Sequence, residues 1–499
     1  MLLAELLRAC PPRRTAGRVD VPVAGLRHDS REIEAGDVFF ALSGSKNDGN
    51  LHAREALANG AIAVVSELEP PPPAALSGAW IQVADAAEAM GRYADVFFRH
   101  PSGAMTVVGV TGTNGKTTTT YLLEAVVEAA GGKAGVAGTI DYRLAGKRLA
   151  KAVNTTPISV ELARLLARFR DGGATHALME VSSHALALKR VETVDFDACA
   201  FLNLTRDHLD FHKTTEAYFE AKGHLFDLLA RAENRKALKI ASLNADDPCA
   251  RRLQRRVAGC DVVAFGLTAA AKDLRGSILS SDLNGSRFKL DWRGLPLEGS
   301  IRLPGPHNVS NALACAATML GLGTPPDKVL SGLAALPSVP GRLEPISEGQ
   351  DFHVFVDFAH TDSALEAVLR MLAALPHRRI LVVFGCGGDR DKTKRAPMGV
   401  AACRTADLAF ITSDNPRSEE PLEIIADVVN GIRAAGLQNY TIVPDRGEAV
   451  SAAISRARAG DVVLIAGKGH EDRQILRDRA VAFDDREMAR TALRTLRGT

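Results

Sequence analysis

The chain has 499 residues, of which 46% are hydrophobic and 24% are charged, and its formal net charge is +2. This balance excludes a disordered or fibrous chain, and it provides no basic field that would favour nucleic acid as a partner. The seven cysteines form no C-x-x-C pair and no run approaches the ~18 apolar residues of a membrane helix, so we expect no disulfide framework, zinc site or membrane insertion.

The first 101 residues have the pattern of a small α/β domain. Basic residues follow the apolar stretch at the start of the chain, an order unlike that of a signal peptide, so we expect a cytoplasmic protein. Strand-like runs at 36–42 and 61–65 flank a helix-like stretch at 52–59, and a proline-rich breaker follows at 69–73. Since the chain length suits about three domains, we predict that residues 1–101 form the first.

A glycine-rich loop follows the next predicted strand. Residues 109–120 read GVTGTNGKTTTT, between the apolar run 105–108 and the amphipathic stretch 121–130. Strand, glycine-rich loop and helix in this order cradle the phosphates of a nucleotide. The spacing is a variant of the usual phosphate loop, because Val110 stands five positions before Gly115. The alternative is a chance glycine turn with a surface lysine, which the flanking strand and helix disfavour, and we predict ATP binding.

Four residues of this loop have predicted roles in phosphate binding. Gly112 and Gly115 leave backbone N–H groups free to point at phosphate oxygens, and the following helix directs its positive end toward them. Lys116 is predicted to reach the terminal phosphates, and the Thr117 hydroxyl to bind Mg²⁺.

Strands alternate with helices in the rest of the chain. We predict a central domain at 102–338 and a C-terminal domain at 339–499. Continuously apolar runs, typical of parallel strands covered on both faces, lie at 106–110, 177–181, 198–202, 239–244, 354–357, 379–384, 408–412 and 462–466. The predicted fold class is α/β in three domains: a small N-terminal α/β domain, a central P-loop-type ATPase domain with a mostly parallel sheet, and a C-terminal Rossmann-like α/β domain.

Polar side chains follow two of the central strands. Glu180, Ser182 and His184 end one strand, and His208 follows the next in NLTRDHLDFH. Because ligands bind beyond the carboxyl ends of parallel strands, a carboxylate and an imidazole there suit a divalent metal, although each alone is more often a capping or solvated residue. Lys222 lies in a helix-patterned segment, where spacing alone favours a surface lysine.

Four polar loops follow strands of the C-terminal domain, at 357–366, 384–395, 413–420 and 466–472. They concentrate charged side chains, namely Arg390, Asp391, Lys394, Arg395, Arg417, Lys468, His470 and Glu471. Four such loops at one sheet edge indicate a site for a small, multiply charged substrate.

The motifs TGTNGKTT, EVSSHAL, NLTRDHLDFH, AYFEAK, NADD, DFAHT, GCGGDRDKTKR, DNPR and GKGHE occur in this order. With them the sequence resembles the Mur ligases, the ATP-dependent amide ligases that build the peptidoglycan stem peptide, from about residue 28 to the C-terminus. The DNPR loop is similar to that of members adding meso-diaminopimelate to UDP-N-acetylmuramoyl-L-alanyl-D-glutamate. The resemblance implies that the protein acts on these substrates and ATP through an acyl phosphate. We also expect the cytoplasmic protein to be a monomer.

The resemblance also implies roles for individual residues. In the N-terminal UDP-precursor-binding domain and the central domain, it implies contacts to the UDP-dipeptide from His28, Ser30, Ser45, Lys46, Asn47, Asn154, Thr155, Thr156, Ser182 and Arg190. For ATP it implies Gly112, Thr113, Asn114, Gly115, Lys116, Thr117, Thr118 and Asn308. For Mg²⁺ it implies Thr117, Glu180, His208 and Lys222, the last as a CO₂-derived carbamate, and it makes Lys116, Lys222, His208 and Glu180 catalytic. For diaminopimelate it implies Arg390, Asp414, Asn415, Pro416, Arg417, Gly467 and Glu471.

The choice of acceptor depends on Arg417. Meso-diaminopimelate is similar to lysine with one additional carboxylate, and the arginine fork offers that group two donors. An exposed loop arginine is the alternative interpretation. The sequence departs from the family pattern at Leu188, where glutamine is usual, and at Pro306, His307 and Asp362. For the base that accepts the proton of the acceptor amine, His208 and His360 are candidates by location.

Three other functions stay open from the sequence. A lysine-adding Mur ligase is disfavoured by DNPR, and a folylpolyglutamate-synthase-like ligase by the N-terminal domain. A nucleotide-binding regulatory protein without ligase activity is disfavoured by the presence of Lys116, Glu180, His208 and Lys222 together.

Overall fold

The strands of the chain form three main sheets, one in each of the three predicted segments. The computed structural model describes residues 1–44, 48–72 and 77–498. The chain divides into two units, which comprise Met1–Gly276, Leu290–Leu297 and Ser310–Leu333 in the first and Ser277–Lys289, Glu298–Val309 and Ala334–Thr499 in the second. Within the described ranges, no helix combines the length and apolarity needed to cross a membrane.

The N-terminal sheet belongs to the first unit. Its strands are β1 (Arg14–Ala16), β2 (Gly25–Arg27), β3 (Asp37–Phe40), β4 (Ala63–Ser66) and β5 (Ala79–Gln82), and the helices around them are α1 (Leu3–Leu6), α2 (Ala53–Ala58) and α3 (Ala86–Phe97). The order is β1-β5-β4-β3-β2, with β2 to β5 parallel and β1 antiparallel. Apolar side chains of β3 and β4 are buried against α3.

The central segment supplies the largest sheet. Its strands are β6 (Thr106–Thr111), β7 (Ala134–Ala137), β8 (Asp141–Leu144), β9 (Lys147–Lys151), β10 (His176–Glu180), β11 (Ala198–Phe201), β12 (Ile240–Asn244), β13 (Asp261–Gly266), β14 (Leu274–Asp282), β15 (Gly285–Trp292) and β16 (Leu295–Ile301). Its helices are α4 (Lys116–Ala129), α5 (Ser159–Asp171), α6 (Ser183–Ala187), α7 (Leu209–His212), α8 (Thr215–Ala230), α9 (Ala250–Gln254), α10 (Pro306–Gly321) and α11 (Pro326–Ala335).

The central sheet is parallel where the candidate site lies. β6 lies between β10 and β11, and all three run parallel, so their carboxyl ends meet at one edge. The sheet continues in parallel through β12 and β13 on one side and β7 on the other, where the hairpin β8–β9 adds two antiparallel strands.

The C-terminal sheet belongs to the second unit. Its order is β17 (Glu344–Pro345), β18 (His353–Asp357), β22 (Val462–Ala466), β19 (Ile380–Phe384), β20 (Leu408–Ile411) and β21 (Tyr440–Ile442), and a separate hairpin joins β23 (Arg473–Ile475) to β24 (Ala480–Ala482). The helices are α12 (Asp362–Ala373), α13 (Arg395–Thr405), α14 (Pro421–Ala434), α15 (Arg446–Arg456) and α16 (Asp485–Arg497). Strands β18 to β22 are parallel, and only β17 runs antiparallel among the described strands of this sheet.

The predicted fold class is confirmed, and the eight apolar runs named above are all strands whose ends differ from the prediction by at most one residue. One helix is wrong at its start: α4 begins at Lys116, five residues before the predicted stretch, because the threonines of the loop already take helical conformation. The boundaries at 101 and 338 stay predictions.

Candidate active site

The phosphate loop connects the buried strand β6 to helix α4. Gly115 caps the helix in the left-handed region with φ +88°, and a Cβ at this position would lie 2.3 Å from Oδ1 of Asn311. Both the backbone conformation and the lack of space therefore exclude a residue with a side chain at position 115. The first backbone N–H groups of α4, which have no acceptor within a helix, follow directly after it.

Two lysine amines converge on one carbonyl of this loop. Nζ of Lys116 donates to Gly112 O at 2.8 Å, and Nζ of Lys222 donates to the same oxygen at 2.9 Å. Lys222 lies on α8 with 1% of its surface exposed, and its Nζ is 4.5 Å from the centre of the Tyr218 ring. The surface-lysine interpretation from spacing is therefore wrong.

Burial changes the chemistry of Lys222. Loss of hydration and then the nearby charge of Lys116 lower the pKa of its amine well below the ordinary value. Both causes disfavour the protonated form, since a buried charge loses water and a second cation repels it. The environment of Lys222 therefore favours the neutral form of the amine, which is the nucleophilic form.

Glu180, at the end of β10, accepts hydrogen bonds from two threonines. Oε2 accepts from the hydroxyls of Thr117 at 3.0 Å and Thr139 at 2.8 Å, and Oε1 accepts from the Thr139 N–H at 2.9 Å. The Thr139 hydroxyl also lies 3.1 Å from that of Thr155. Sequence reasoning missed Thr139, which follows the short strand β7 without a chemical motif of its own.

The Thr117 and Glu180 pair suits magnesium in the form that accompanies a nucleotide. Among residues 1–44, 48–72 and 77–498, no three His, Cys, Asp or Glu side chains are grouped as metal ligands. Mg²⁺ at nucleotide sites takes one or two protein oxygens and completes its shell with phosphate and water, so a hydroxyl beside a nearly buried carboxylate fits this requirement.

Histidines of helix α6 and of the segment after β11 form a cluster. His208 takes a left-handed conformation, φ 52°, at the start of α7, and its ring centre is 4.8 Å from that of His184 and 6.0 Å from that of Tyr218. His212 faces the Ser183 hydroxyl at 2.9 Å. Burial is the main cause that lowers the pKa values of His184 and His212, so both are neutral near pH 7.

The loop that carries His208 is bonded to the phosphate loop. Asn203 Oδ1 accepts from the Asn114 N–H at 2.9 Å, and its carbonyl accepts from the Thr113 N–H at 3.0 Å. The Thr113 hydroxyl accepts from the Thr205 N–H at 2.9 Å, while Asp247 of the NADD motif accepts from the Leu204 N–H at 2.7 Å. These bonds fix the two motifs in register.

Several residues predicted to contact the UDP-dipeptide also lie beside Glu180. The Thr156 hydroxyl donates to the Glu180 carbonyl at 2.8 Å and accepts from the Ser182 N–H at 3.1 Å, and the Thr156 carbonyl accepts from Arg190 at 2.9 Å. The Asn154 carbonyl accepts from the hydroxyl of Tyr142 at 2.8 Å. The roles of these residues as substrate contacts stay predictions.

The remaining predicted contacts lie elsewhere. His28 and Ser30 follow β2, where Ser30 is buried in a short 3₁₀ turn, and Ser45, Lys46 and Asn47 lie outside the described residues. Asn308, on α10, belongs to the second unit and donates to the Pro304 carbonyl at 2.8 Å.

In the second unit, the DNPR loop meets the GKGHE loop. Asn415 donates from Nδ2 to Glu471 at 3.0 Å, and Lys468, with no exposed surface, donates to Asn415 Oδ1 and to Glu471, both at 3.1 Å. Amide, cation and carboxylate therefore form one network, in which Lys468 is an addition to the predicted contact residues.

Arg417 is held in place by main-chain contacts. It takes the left-handed conformation with φ 53°, its N–H donates to the Ile475 carbonyl at 3.1 Å, and Nη1 donates to the Gly388 carbonyl at 2.8 Å. Arg390, from the neighbouring loop, donates to its adjacent Asp389 carbonyl at 3.3 Å. The side chain of Arg417 is thus oriented by the loop that carries Arg390.

The phosphate loop at the end of a parallel strand and the polar network of the separate α/β unit are the features expected of an ATP-using ligase. Three family models match the chain: the Mur ligase family, catalytic domain at residues 22–98, the Mur ligase middle domain at 110–319, and the Mur ligase, glutamate ligase domain at 341–469. The chain belongs to the Mur ligase family, and the predicted resemblance is confirmed.

Individual relatives make the similarity more specific. The UDP-N-acetylmuramoyl-L-alanyl-D-glutamate–2,6-diaminopimelate ligase of Solibacter usitatus is 46% identical over 99% of this chain and 98% of its own length. A solved structure of a ligase of the same name aligns with a TM-score of 0.72, 32% identity and complete coverage of both chains. MurF ligase from Thermotoga maritima in complex with ADP shares the fold, with a TM-score of 0.61, 21% identity and coverage of 88% of this chain and 93% of that one.

Proposed function

We propose that this chain uses ATP to join meso-diaminopimelate to the D-glutamyl residue of UDP-N-acetylmuramoyl-L-alanyl-D-glutamate, as a step of peptidoglycan precursor synthesis. The observation that carries the proposal is the fixed Arg417 beside the network of Lys468, Asn415 and Glu471. The full-length similarity to ligases named for this reaction supports it.

The first step activates the D-glutamyl carboxylate. Its oxygen attacks the γ-phosphorus of ATP, which yields ADP and an acyl phosphate. Lys116 and the N-terminal N–H groups of α4 stabilise the negative charge that develops on the phosphoryl oxygens. Thr117 and Glu180 would hold Mg²⁺, which neutralises phosphate charge when it is bound.

The second step forms the amide. The amine of the acceptor attacks the acyl carbonyl, phosphate leaves, and the amine loses a proton. Asn415 and Glu471 offer an amide and a carboxylate to the polar groups of the amino acid, and Arg417 offers its fork to the far carboxylate. Lysine lacks that carboxylate and would leave the guanidinium without an anion, which costs binding energy in a partly buried site.

Lys222 is proposed to carry a carbamate. Its neutral amine attacks CO₂, a new N–C bond forms, and a proton leaves to solvent, so a buried amine becomes an anion. The lowered pKa and the 1% exposure support this assignment, because a protonated surface lysine is a poor nucleophile for CO₂. The anion would add to the charge that Glu180 offers a magnesium ion.

Phosphate release tests the proposal. Purified protein is supplied with ATP, Mg²⁺ and the UDP-dipeptide, together with either meso-diaminopimelate or L-lysine. Release with diaminopimelate alone, and a product heavier by that residue, is the expected result. Release with lysine would retain the ligase class and overturn the Arg417 argument, whereas release with neither would favour the non-catalytic alternative.

We further infer that the protein is cytoplasmic and monomeric. Sedimentation of the purified chain tests the monomeric state.

A further inference from the structure

A fully buried arginine lies beneath the proposed acceptor site. Arg446 is the first residue of α15, and it binds Asp485 of α16 through two parallel hydrogen bonds, Nε to Oδ1 at 2.8 Å and Nη2 to Oδ2 at 2.7 Å. Neither side chain has exposed surface. Nη2 also donates to the carbonyl of Ala466 at 2.9 Å, at the end of β22. Arg446 therefore ties two helices to the strand that leads into the GKGHE loop.

The third guanidinium nitrogen is directed at Asp414. Among the described residues, Nη1 of Arg446 has no hydrogen-bond acceptor, and its nearest carboxylate oxygen is Oδ2 of Asp414 at 3.9 Å. A buried donor that lacks an acceptor requires an explanation, since native proteins rarely leave one. The distance is that of a charge contact without a hydrogen bond.

The backbone around Asp414 is shaped to admit its carboxylate. Gly467 follows Ala466 with φ +118°, and a Cβ at this glycine would come within 2.9 Å of Asp414 Oδ2. The other oxygen, Oδ1, accepts from the Asn415 N–H at 2.6 Å. The carboxylate is thus held on one side by its own loop and faces Arg446 with the other oxygen.

The charges of Arg446, Asp485 and Asp414 explain the role of Asp485. Asp485 occupies the two-donor edge of the guanidinium, so that edge is closed to Asp414. The three side chains Arg446, Asp485 and Asp414 carry one positive and two negative charges, which leaves one negative charge available. An amino-acid acceptor brings an ammonium group, which is the ligand that this charge suits.

We propose that Arg446, locked by Asp485, is a positioning residue that orients Asp414 toward the ammonium group of the amino-acid acceptor, namely the amino group that does not attack the acyl carbonyl. The inference rests on the proposed function for the existence of an acceptor, and it holds for diaminopimelate and lysine alike, because both carry that group. Arg446 acts through Asp414 and does not touch the substrate.

A double-mutant cycle tests this assignment. Arg446→Lys, Asp414→Asn and the double variant are compared with the wild type by phosphate release, with separate KM values for the acceptor, ATP and the UDP-dipeptide. We expect Arg446→Lys to raise the acceptor KM about tenfold, the size of one lost charge-assisted contact. The other two KM values should stay within about twofold of the wild type. In the Asp414→Asn background, Arg446→Lys should add no further increase.

Arg379→Lys is the matched control. Arg379 forms a similar pair with the buried Asp461, 2.5 Å from Nη2 to Oδ2, at the opposite, amino ends of β19 and β22. This variant should leave the acceptor KM unchanged. The proposal is overturned if Arg446→Lys changes all three KM values equally. It is also overturned if the increases in acceptor KM multiply in the double variant, because Arg446 would then act only as a structural residue.

The test remains informative if Arg446→Lys does not fold or if the acceptor is lysine. If Arg446→Lys fails to fold, Asp485→Asn supplies the second variant, and it should raise the acceptor KM selectively by freeing Arg446 to pair with Asp414. A wild-type acceptor KM in Asp414→Asn alone overturns the proposal without any arginine variant. If the wild type uses lysine, the substrate proposal fails separately and the same cycle is run with lysine.

Discussion

Replacing Arg417 with alanine should remove the selectivity for diaminopimelate. The guanidinium is already oriented by the bond from Nη1 to the Gly388 carbonyl at 2.8 Å, so little ordering is required when a carboxylate binds. Two charge-assisted hydrogen bonds to that carboxylate contribute about 3–4 kcal/mol. The expected loss in kcat/KM for diaminopimelate is on the order of 10²–10³-fold.

The comparison with lysine makes this prediction specific. Lysine has no second carboxylate, and Arg417→Ala removes the guanidinium that lysine leaves without an anion, so its kcat/KM should not fall and the ratio between the two amino acids should approach one. Arg417→Lys retains the charge without the planar fork and should fall between the wild type and the alanine variant. Each kcat/KM is measured by coupled phosphate release at saturating ATP and UDP-dipeptide.

A nearby arginine supplies the control. Arg477 lies in the β23–β24 hairpin with 76% of its side chain exposed and only a 3.7 Å ion pair to Glu420, so Arg477→Ala should match the wild type. Folding is checked by thermal melting of all variants. If Arg417→Ala melts like the wild type and keeps its kcat/KM for diaminopimelate within threefold (a change of about 0.7 kcal/mol), the guanidinium does not bind the substrate carboxylate.

Three further predictions concern the first unit. Lys222→Ala should abolish ligase activity, with partial recovery when a short carboxylic acid is supplied; full activity without the acid would exclude an essential carbamate. Glu180→Gln should lower kcat about 10²–10³-fold at unchanged melting temperature, and kcat that is restored by excess Mg²⁺ would identify metal affinity as the lost property. Contacts with the carboxylates of Asp227 and Glu192 raise the pKa of His224 to about 9, so its protonation stabilises the folded chain below the unfolded pKa near 6.5, and this contribution is lost as pH rises through about 9. Urea unfolding of His224→Gln against wild type should therefore show a difference at pH 6 that shrinks by pH 10, and a constant difference would contradict the linkage.

The sheets were predictable because parallel strands covered on both faces must be apolar along their whole length. A buried parallel strand is the secondary structure that best fits runs such as 198–202 and 462–466. The observed strands begin and end within one residue of these runs. The hairpin β8–β9 was not predicted, since three of the five residues of its edge strand are charged and four are exposed. Thr139 was missed for a related reason: it follows the four small residues of β7, and only the folded sheet brings it to Glu180.

Buried cations show most clearly what sequence alone leaves undetermined. Lys222, Lys468 and Arg446 are each at most 1% exposed, although lysine and arginine are exposed in most proteins. Arg446 and Lys468 have carboxylate partners in Asp485 and Glu471, and they hold loops in place through these ion pairs. In the described part of the chain, Lys222 has no carboxylate within ion-pair distance and contacts a carbonyl and an aromatic ring.

This difference in partners decides what each cation can do. A buried amine without an anion has a lowered pKa, which favours its neutral form. A buried guanidinium with an anion stays charged and becomes part of the scaffold. The partner of Arg446, Asp485, is 39 residues away along the chain, so spacing along a helix does not reveal it. The buried cations of this chain are therefore distinguished by the elements that fold against them.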